Sequence, residues 1–211
     1  MSAANIPPQE QGEQKEAPKK EIGKPKAPTT TKVLKGKSWF TVTAPALFSN
    51  RSLGEALAAD PSTLVGRVVS ASLLELTGDP TRYYMMLHFK VTSWDGSSAK
   101  TVYAGHETTR DFTARIVQLR TARIDTNDVL QFADGSMRVK SIAITNRPVT
   151  VSVNKAVRAQ IRQLIAEAAN GKTIEQFVEA VMKGEVQANI HQTVNKLYPL
   201  RMFEVLKTEV Q

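Results

Sequence analysis

Between residue 38 and about residue 147 apolar and polar side chains alternate with a period of two. From about Val151 onward the period lengthens to that of a helix. Lys37-Ser-Trp-Phe-Thr-Val-Thr-Ala-Pro45 opens the alternation as a strand, with at least one of Trp39 and Phe40 facing the core. Leu64 to Leu76 reads as one long or bent strand carrying a bulge at Gly66. Thr77-Gly-Asp-Pro80 is a turn cluster. Tyr83, Met85, Leu87, Phe89 and Val91 then share one face, and Tyr84, Met86, His88, Lys90 and Thr92 share the other. Asp95-Gly96 predicts a hairpin turn into a strand from Ala99 to Ala104. Thr108 to Leu119 predicts a short helix aligning Phe112, Ile116 and Leu119. A second hairpin turns at Asp134-Gly135, between Val129–Phe132 and Met137–Ile144.

Three helices follow. Val153, Val157, Ile161, Leu164, Ile165 and Ala168 recur at three- and four-residue spacing, and Asn170-Gly171 is the stop signal. Thr173-Ile-Glu-Gln176 has the spacing of a capping box, and Ile174, Phe177, Val178 and Val181 supply the buried face of the helix it opens. Gly184 ends that helix. The third runs from about Glu185 to Lys196 on Val186, Ile190, Val194 and Leu197, and Tyr198-Pro199 breaks it. Arg201 to Val210 predicts a strand that returns to the sheet. The class is α+β: an antiparallel barrel or sandwich over 38–148, helices over 149–198 and a return strand over 199–211, forming one domain.

The first 37 residues break both periodicities. They hold eight lysines, four glutamates and five prolines, and no aromatic residue. Too few apolar side chains are present to offset backbone ordering, which predicts a disordered basic tail spanning on the order of 120 Å when extended. Lys32, Lys35 and Lys37, nearest the first strand, are the tail residues expected to order. The tail supplies +4 of the net charge of +8, so the remainder is basic as well. Such a balance favours a nucleic-acid partner. No basic amphipathic helix with bulky aromatics is present to suit a membrane face, and no run of 18 apolar residues occurs. The chain lacks cysteine, which excludes disulfides, thiolate metal sites and a cysteine nucleophile, and a soluble intracellular protein is the simplest expectation.

Enzyme signatures are poor. There is no Gly-rich phosphate loop, no His pair at i, i+4 and no nucleophile elbow. His88, His106 and His191 are far apart in sequence. Asp125 and Asp128, or Glu107 and Asp111, are the carboxylates a magnesium-dependent nuclease would use. Surface turns carry such carboxylates routinely. No cofactor is expected.

The cations form a better constellation. Arg110, Arg115, Arg120 and Arg123 crowd one stretch. Arg138, Lys140 and Arg147 follow on the last hairpin, with 138 and 140 on one strand face. Lys155, Arg158 and Arg162, at i, i+3 and i+7, line one stripe of the first long helix. Guanidinium groups grip phosphate bidentately. Any one cluster alone is equally a solvated face; three clusters together with a basic tail point to RNA or DNA. Trp39, Phe40 and Trp94 are candidates for stacking on bases.

Lys37-Ser-Trp-Phe-Thr-Val-Thr-Ala-Pro-Ala-Leu-Phe48 resembles the opening of the archaeal and eukaryotic small-subunit ribosomal protein family called S-three-A-e, or eukaryotic-type S-one. The match continues through Gly66-Arg67-Val68, Leu73 to Asp79, Thr108-Thr-Arg-Asp111 and Arg123-Ile-Asp-Thr-Asn-Asp128. It ends with Lys140-Ser-Ile-Ala-Ile-Thr-Asn-Arg147 and Tyr198-Pro-Leu200, and it covers about residues 32 to 210. One departure is Gln118-Leu119-Arg120, where members often carry several basic residues in a row; Arg120 and Arg123 remain the candidates there. The resemblance implies a barrel-like core with C-terminal helices on the platform of the small subunit, near the messenger-RNA exit and the 3′ end of the ribosomal RNA. Its partners would be ribosomal RNA, neighbouring ribosomal proteins and messenger RNA at the exit, in the cytoplasm and without catalysis. The RNA-binding candidates it leaves are the cations named above together with Arg67. A free RNA chaperone or regulator of translation is the alternative, with the nuclease a distant third.

Overall fold

The computed structural model describes residues 36–211. Residues 1–35 of the basic tail, with Lys32 and Lys35, lie outside the described residues. Eight strands form one branched, mostly antiparallel sheet: β1 (Ser38–Thr43), β2 (Ser52–Ala58), β3 (Val68–Ser72), β4 (Met85–Asp95), β5 (Ser98–Thr108), β6 (Arg123–Phe132), β7 (Gly135–Thr145) and β8 (Leu200–Val210). Five helices accompany them: α1 (Leu73–Thr77), α2 (Arg110–Ile116), α3 (Val151–Ala169), α4 (Ile174–Lys183) and α5 (Glu185–Asn195). The α+β class is as expected. The sheet runs β2-β1-β5-β8-β7-β6, and β4 pairs the other edge of β5 and carries β3.

β5 is the branch point. One of its edges pairs with β4 over its length, apart from bulges. Its other edge is shared end to end by β1, parallel at Ser98–Lys100, and β8, antiparallel at Gly105–Glu107. The return strand β8 is therefore central, lying between β5 and β7. Gly105 permits the close approach: a Cβ there would lie 2.1 Å from the Thr208 carbonyl oxygen.

The main core lies between sheet and helices. Val157, Ile161 and Ile165 of α3, Phe177 and Val181 of α4, and Ile190 and Val194 of α5 pack with Ile124, Met137, Val139, Phe203 and Val205 of the sheet. A smaller cluster, including Phe40, Val42, Leu64, Val91 and Ala99, seals the β1–β2 end. Of the Trp39–Phe40 pair, Phe40 faces inward and Trp39 is exposed. The capping box at Thr173 and Gln176 opens α4 as predicted, and Gly184, at φ 81°, turns the chain from α4 into α5.

The structure corrects four expectations. The Leu64–Leu76 stretch is not one strand: only Val68–Ser72 is extended, and Leu73–Thr77 is a helix. Ser72 and Glu75 close a capping box there, and Gly78 terminates the turn in the left-handed conformation. Gly66, at φ 89°, sits in the turn before β3 and is not a bulge. The face shared by Met85, Leu87, Phe89 and Val91 is buried as predicted, but Tyr83 leaves it. β4 begins only at Met85, so Tyr84 turns inward and stacks on Phe112 of α2 at 3.7 Å between centroids. Leu119 does not join the apolar side of α2. The helix ends at Ile116, and Leu119 is 95 % exposed.

Candidate nucleic-acid interface

Two adjoining grooves run across the sheet between α2 and α3. The first, about 610 Å³, is lined by Arg110, Arg123, Lys140 and Lys207 with Glu107; the second, about 440 Å³, by Arg123, Lys140, Arg158 and Arg162 with Asp125. Arg123, Lys140 and Leu206 belong to both, so the two form one trough. Six cations line it against two carboxylates. Residues from α2, β6, β7, β8 and α3, scattered over about 100 positions of sequence, meet here.

Each cation is placed by a local device. Tyr84–Phe112 stacking holds α2 against β4, which sets Arg110 at one rim. Arg123 opens β6, and its Nε donates to both Asp125 oxygens, at 2.9 and 3.0 Å. Lys140 alternates with buried Val139 and so points away from the core. Its neighbour across the β7–β8 ladder is Lys207. Leu206, between the Lys140–Lys207 and Ser141–Val205 pairs, is the extra residue of a β8 bulge there. Lys207 Nζ lies 2.8 Å from Glu209 and 3.4 Å from Glu107; the Glu209 contact holds its pKa above the usual lysine value. Glu209 is correspondingly held below the usual carboxylate range, by Lys207 first.

On α3 the stripe divides. Arg158 and Arg162 line the trough, and Lys155, one turn earlier, does not. Arg162 Nε pairs with Asp128 at 3.0 Å. Burial pushes the Asp128 carboxyl up, and the Arg162 guanidinium opposes it. The Arg158 Nε is buried with no hydrogen-bond partner among the described residues. It is a buried donor that no acceptor among the described residues meets.

The remaining sequence candidates are not gathered here. Arg138 shares the Lys140 face but stands opposite Glu209, outside the trough lining. Arg115 donates to the Tyr83 hydroxyl at 3.1 Å. Arg120 adopts φ 63° in the exposed loop after α2, and Arg147 is exposed before α3. Lys37 is exposed beside β1. Arg67 is engaged elsewhere, donating to the carbonyls of Thr63 and Leu57 at 3.0 and 3.1 Å. Of the aromatic candidates, Trp39 and Trp94 are exposed and Phe40 is buried.

Lys207 escaped sequence reasoning. It lies in a strand whose alternation names its face, but only the register with β7 and β5 shows which cations it joins. Three of the four nuclease carboxylates are tied to a base, Asp125 to Arg123, Asp128 to Arg162 and Glu107 to Lys207, and Asp111 is exposed at the start of α2. No group of three His, Cys, Asp or Glu side chains that could hold a metal occurs among the described residues. His106 is fully buried, its Nε2 donating to the Val205 carbonyl and its Nδ1 facing the hydroxyls of Tyr103 and Thr208. No described helix is long and apolar enough to cross a membrane.

Residues 26–211 match the model of the Ribosomal S3Ae family. The chain is 33 % identical over 177 residues to the small ribosomal subunit protein eS1 of Methanobrevibacter smithii, covering 83 % of this chain and 92 % of that one. It is 37 % identical to the protein of the same name from Archaeoglobus fulgidus, covering 82 % and 84 % of the two. The Methanothermobacter thermautotrophicus protein of that name is 34 % identical, over 83 % and 91 %.

Proposed function

Because this chain belongs to the ribosomal S3Ae family, we propose that its basic trough is the surface by which it holds small-subunit ribosomal RNA. Family membership makes it a structural component of the small ribosomal subunit, serving translation in the cytoplasm. Its place is the subunit platform near the messenger-RNA exit and the 3′ end of the ribosomal RNA, with neighbouring ribosomal proteins beside it.

The observation that carries the RNA reading is the convergence of Arg110, Arg123, Lys140, Lys207, Arg158 and Arg162 on one trough. Cations at this density neutralise crowded backbone phosphates, and each contact contributes through counterion release. The sheet and the two flanking helices fix the spacing of the charges. Recognition then rests on the shape of folded RNA, since A-form helices present phosphates and 2′-hydroxyls more openly than base edges. Arg123 and Arg162 exchange a carboxylate for a phosphate on binding, and the unmet Arg158 Nε gains an acceptor.

Ultraviolet crosslinking of purified small subunits, followed by mass spectrometry, tests this. RNA adducts are expected on peptides containing Arg110, Arg123, Lys140 and Arg158–Arg162. Adducts confined to other surfaces, with the trough peptides clean, sink the assignment. Sedimentation of the chain only as a free pool in gentle lysates overturns the wider placement.

A further inference from the structure

The trough is not uniformly ionic. Between its cations the first groove is lined by aliphatic side chains: Ala114 on α2, Val117 just past the end of that helix, and Leu206 on β8. Val117 is 38 % exposed and Leu206 is half-buried. Thr108 and Thr113 line the groove as well, but their hydroxyls donate to the carbonyls of Val205 and Thr109. The first groove thus pairs an apolar surface with the charges of Arg110, Arg123, Lys140 and Lys207.

Leu206 is there because of the β8 bulge. Val205 and Thr208 are both buried, so strict alternation could not put Leu206 and Lys207 on the trough in succession; the extra residue does. An irregularity of a central strand therefore presents a leucine among cations, and that leucine lines both grooves. The second groove differs in character. It adds Thr126, Asn127 and Ser141 to Arg158 and Arg162, and it holds the Arg158 side chain whose Nε has no partner among the described residues.

A paired RNA stem has no use for the aliphatic part. Its phosphates and 2′-hydroxyls lie on a convex surface, and its bases stay stacked inside. An unpaired nucleotide has both halves of the match: a ring with faces to bury, joined to phosphates on either side. A recess of about 610 Å³ is of the size that encloses a small ring system. Resting on the RNA reading above, we infer that the trough takes an unpaired nucleotide turned out of its RNA stem. The base lies in the first groove against Leu206 and Val117. The adjoining phosphate lies in the second, where Arg123 and Lys140 reach it together with the unmet Arg158 Nε.

The test measures affinity of the full-length chain for two RNA hairpins by fluorescence anisotropy. One has a fully paired stem; the other differs by a single unpaired nucleotide in that stem, made with each of the four bases in turn. At least one unpaired base should bind about tenfold or more tighter than the paired stem. Leu206→Ala and Val117→Ala should each cut that preference about threefold or more. Neither removes a cation, so the log–log salt slope should stay as it was, unlike that of a variant that loses a phosphate contact. Val117 is the surer variant because it lies outside the helix and the sheet ladder. Val102→Ala, an exposed valine outside the trough, should leave the preference intact. Equal binding of paired and unpaired hairpins overturns the inference and leaves the RNA reading standing. So does a preference that survives in both the Leu206 and Val117 variants, or a loss of equal size on both hairpins. Failure to bind any of the hairpins overturns the RNA reading itself, and the two failures are thereby distinguishable.

Discussion

Lys140 on β7 stands directly opposite Lys207 on β8, and both side chains line the trough. Directly opposed residues place their Cβ atoms about 5 Å apart, and like charges there oppose the sheet. Glu209 and Glu107 answer Lys207; no carboxylate within ion-pair distance answers Lys140 among the described residues. An anionic ligand resolves the repulsion. Lys140→Ala should therefore leave thermal stability of the free protein unchanged or slightly raised, by up to about 0.5 kcal/mol. It should also weaken binding to a small-subunit RNA fragment, and flatten the log–log salt slope by about 0.7 to 0.9. A salt titration of both proteins checks this; an unchanged slope means Lys140 touches no phosphate.

The α3 stripe separates two readings of the same three cations. A solvated face would treat Lys155, Arg158 and Arg162 alike, whereas the trough includes only the last two. Arg158→Glu with Arg162→Glu should lower incorporation into small subunits about tenfold, with helical content retained by circular dichroism. Some stability is lost because Asp128 then faces a second carboxylate instead of the guanidinium 3.0 Å away. Lys155→Glu should lower incorporation by no more than about twofold. Equal effects of the two variants, measured by quantitative mass spectrometry of gradient fractions, return the stripe to general surface charge.

Gly105 is a steric requirement of the branch in the sheet. With a Cβ 2.1 Å from the Thr208 carbonyl oxygen, Gly105→Ala must part β5 from β8. The β8 strand is central, so the cost reaches the main core. Unfolding in denaturant should show a loss of about 3 kcal/mol or more, or an insoluble product. By contrast Gly96→Ala, in the β4–β5 turn with open space around its Cβ, should cost about 1 kcal/mol for its φ of 57°. Equal stabilities for the two variants would contradict the close approach.

What could be read from the chain depended on range. The β4 face from Met85 to Val91, the Arg138–Lys140 face of β7, the two hairpin turns, the α4 capping box and the return strand are local patterns, and the structure shows them where the spacing put them. Ser72-Leu-Leu-Glu75 is equally local, but its run of leucines reads as a strand unless the capping signal is weighed against the apolar continuity. β2 went unread because its residues alternate weakly around Gly54. The trough was legible only in pieces. Arg138 and Lys140 share a strand face by alternation, but the pairing of Lys140 with Lys207 depends on β8 crossing back between β5 and β7. Arg67, a candidate by motif, ties the turn before β3 to β2 through carbonyls, a use no spacing announces.

His106 supplies a pH signature of the same junction. It is fully buried between β5 and β8, its Nδ1 2.8 Å from the Thr208 hydroxyl and its Nε2 3.3 Å from the Val205 carbonyl. Burial pulls its pKa down to about 4 from an ordinary value of 6.5. The unfolded chain thus binds a proton that the folded chain refuses, so this residue's contribution to stability falls as pH drops from 6.5 to about 4. Across that window the loss is about 3 kcal/mol. Buried Glu204, which donors from Tyr84 and Gln187 hold at 3.2 and 2.9 Å, works in the opposite sense. Burial raises its pKa, so its ionisation weakens the fold as pH rises past the unfolded value of 4.5. The two effects partly cancel in a melting curve, and the direct readout is NMR. The His106 ring carbons should show no protonation shift between pH 8 and 5.5 while the protein stays folded. A midpoint near 6.5 in the folded protein would place the ring in solvent and break the buried link between β5 and β8.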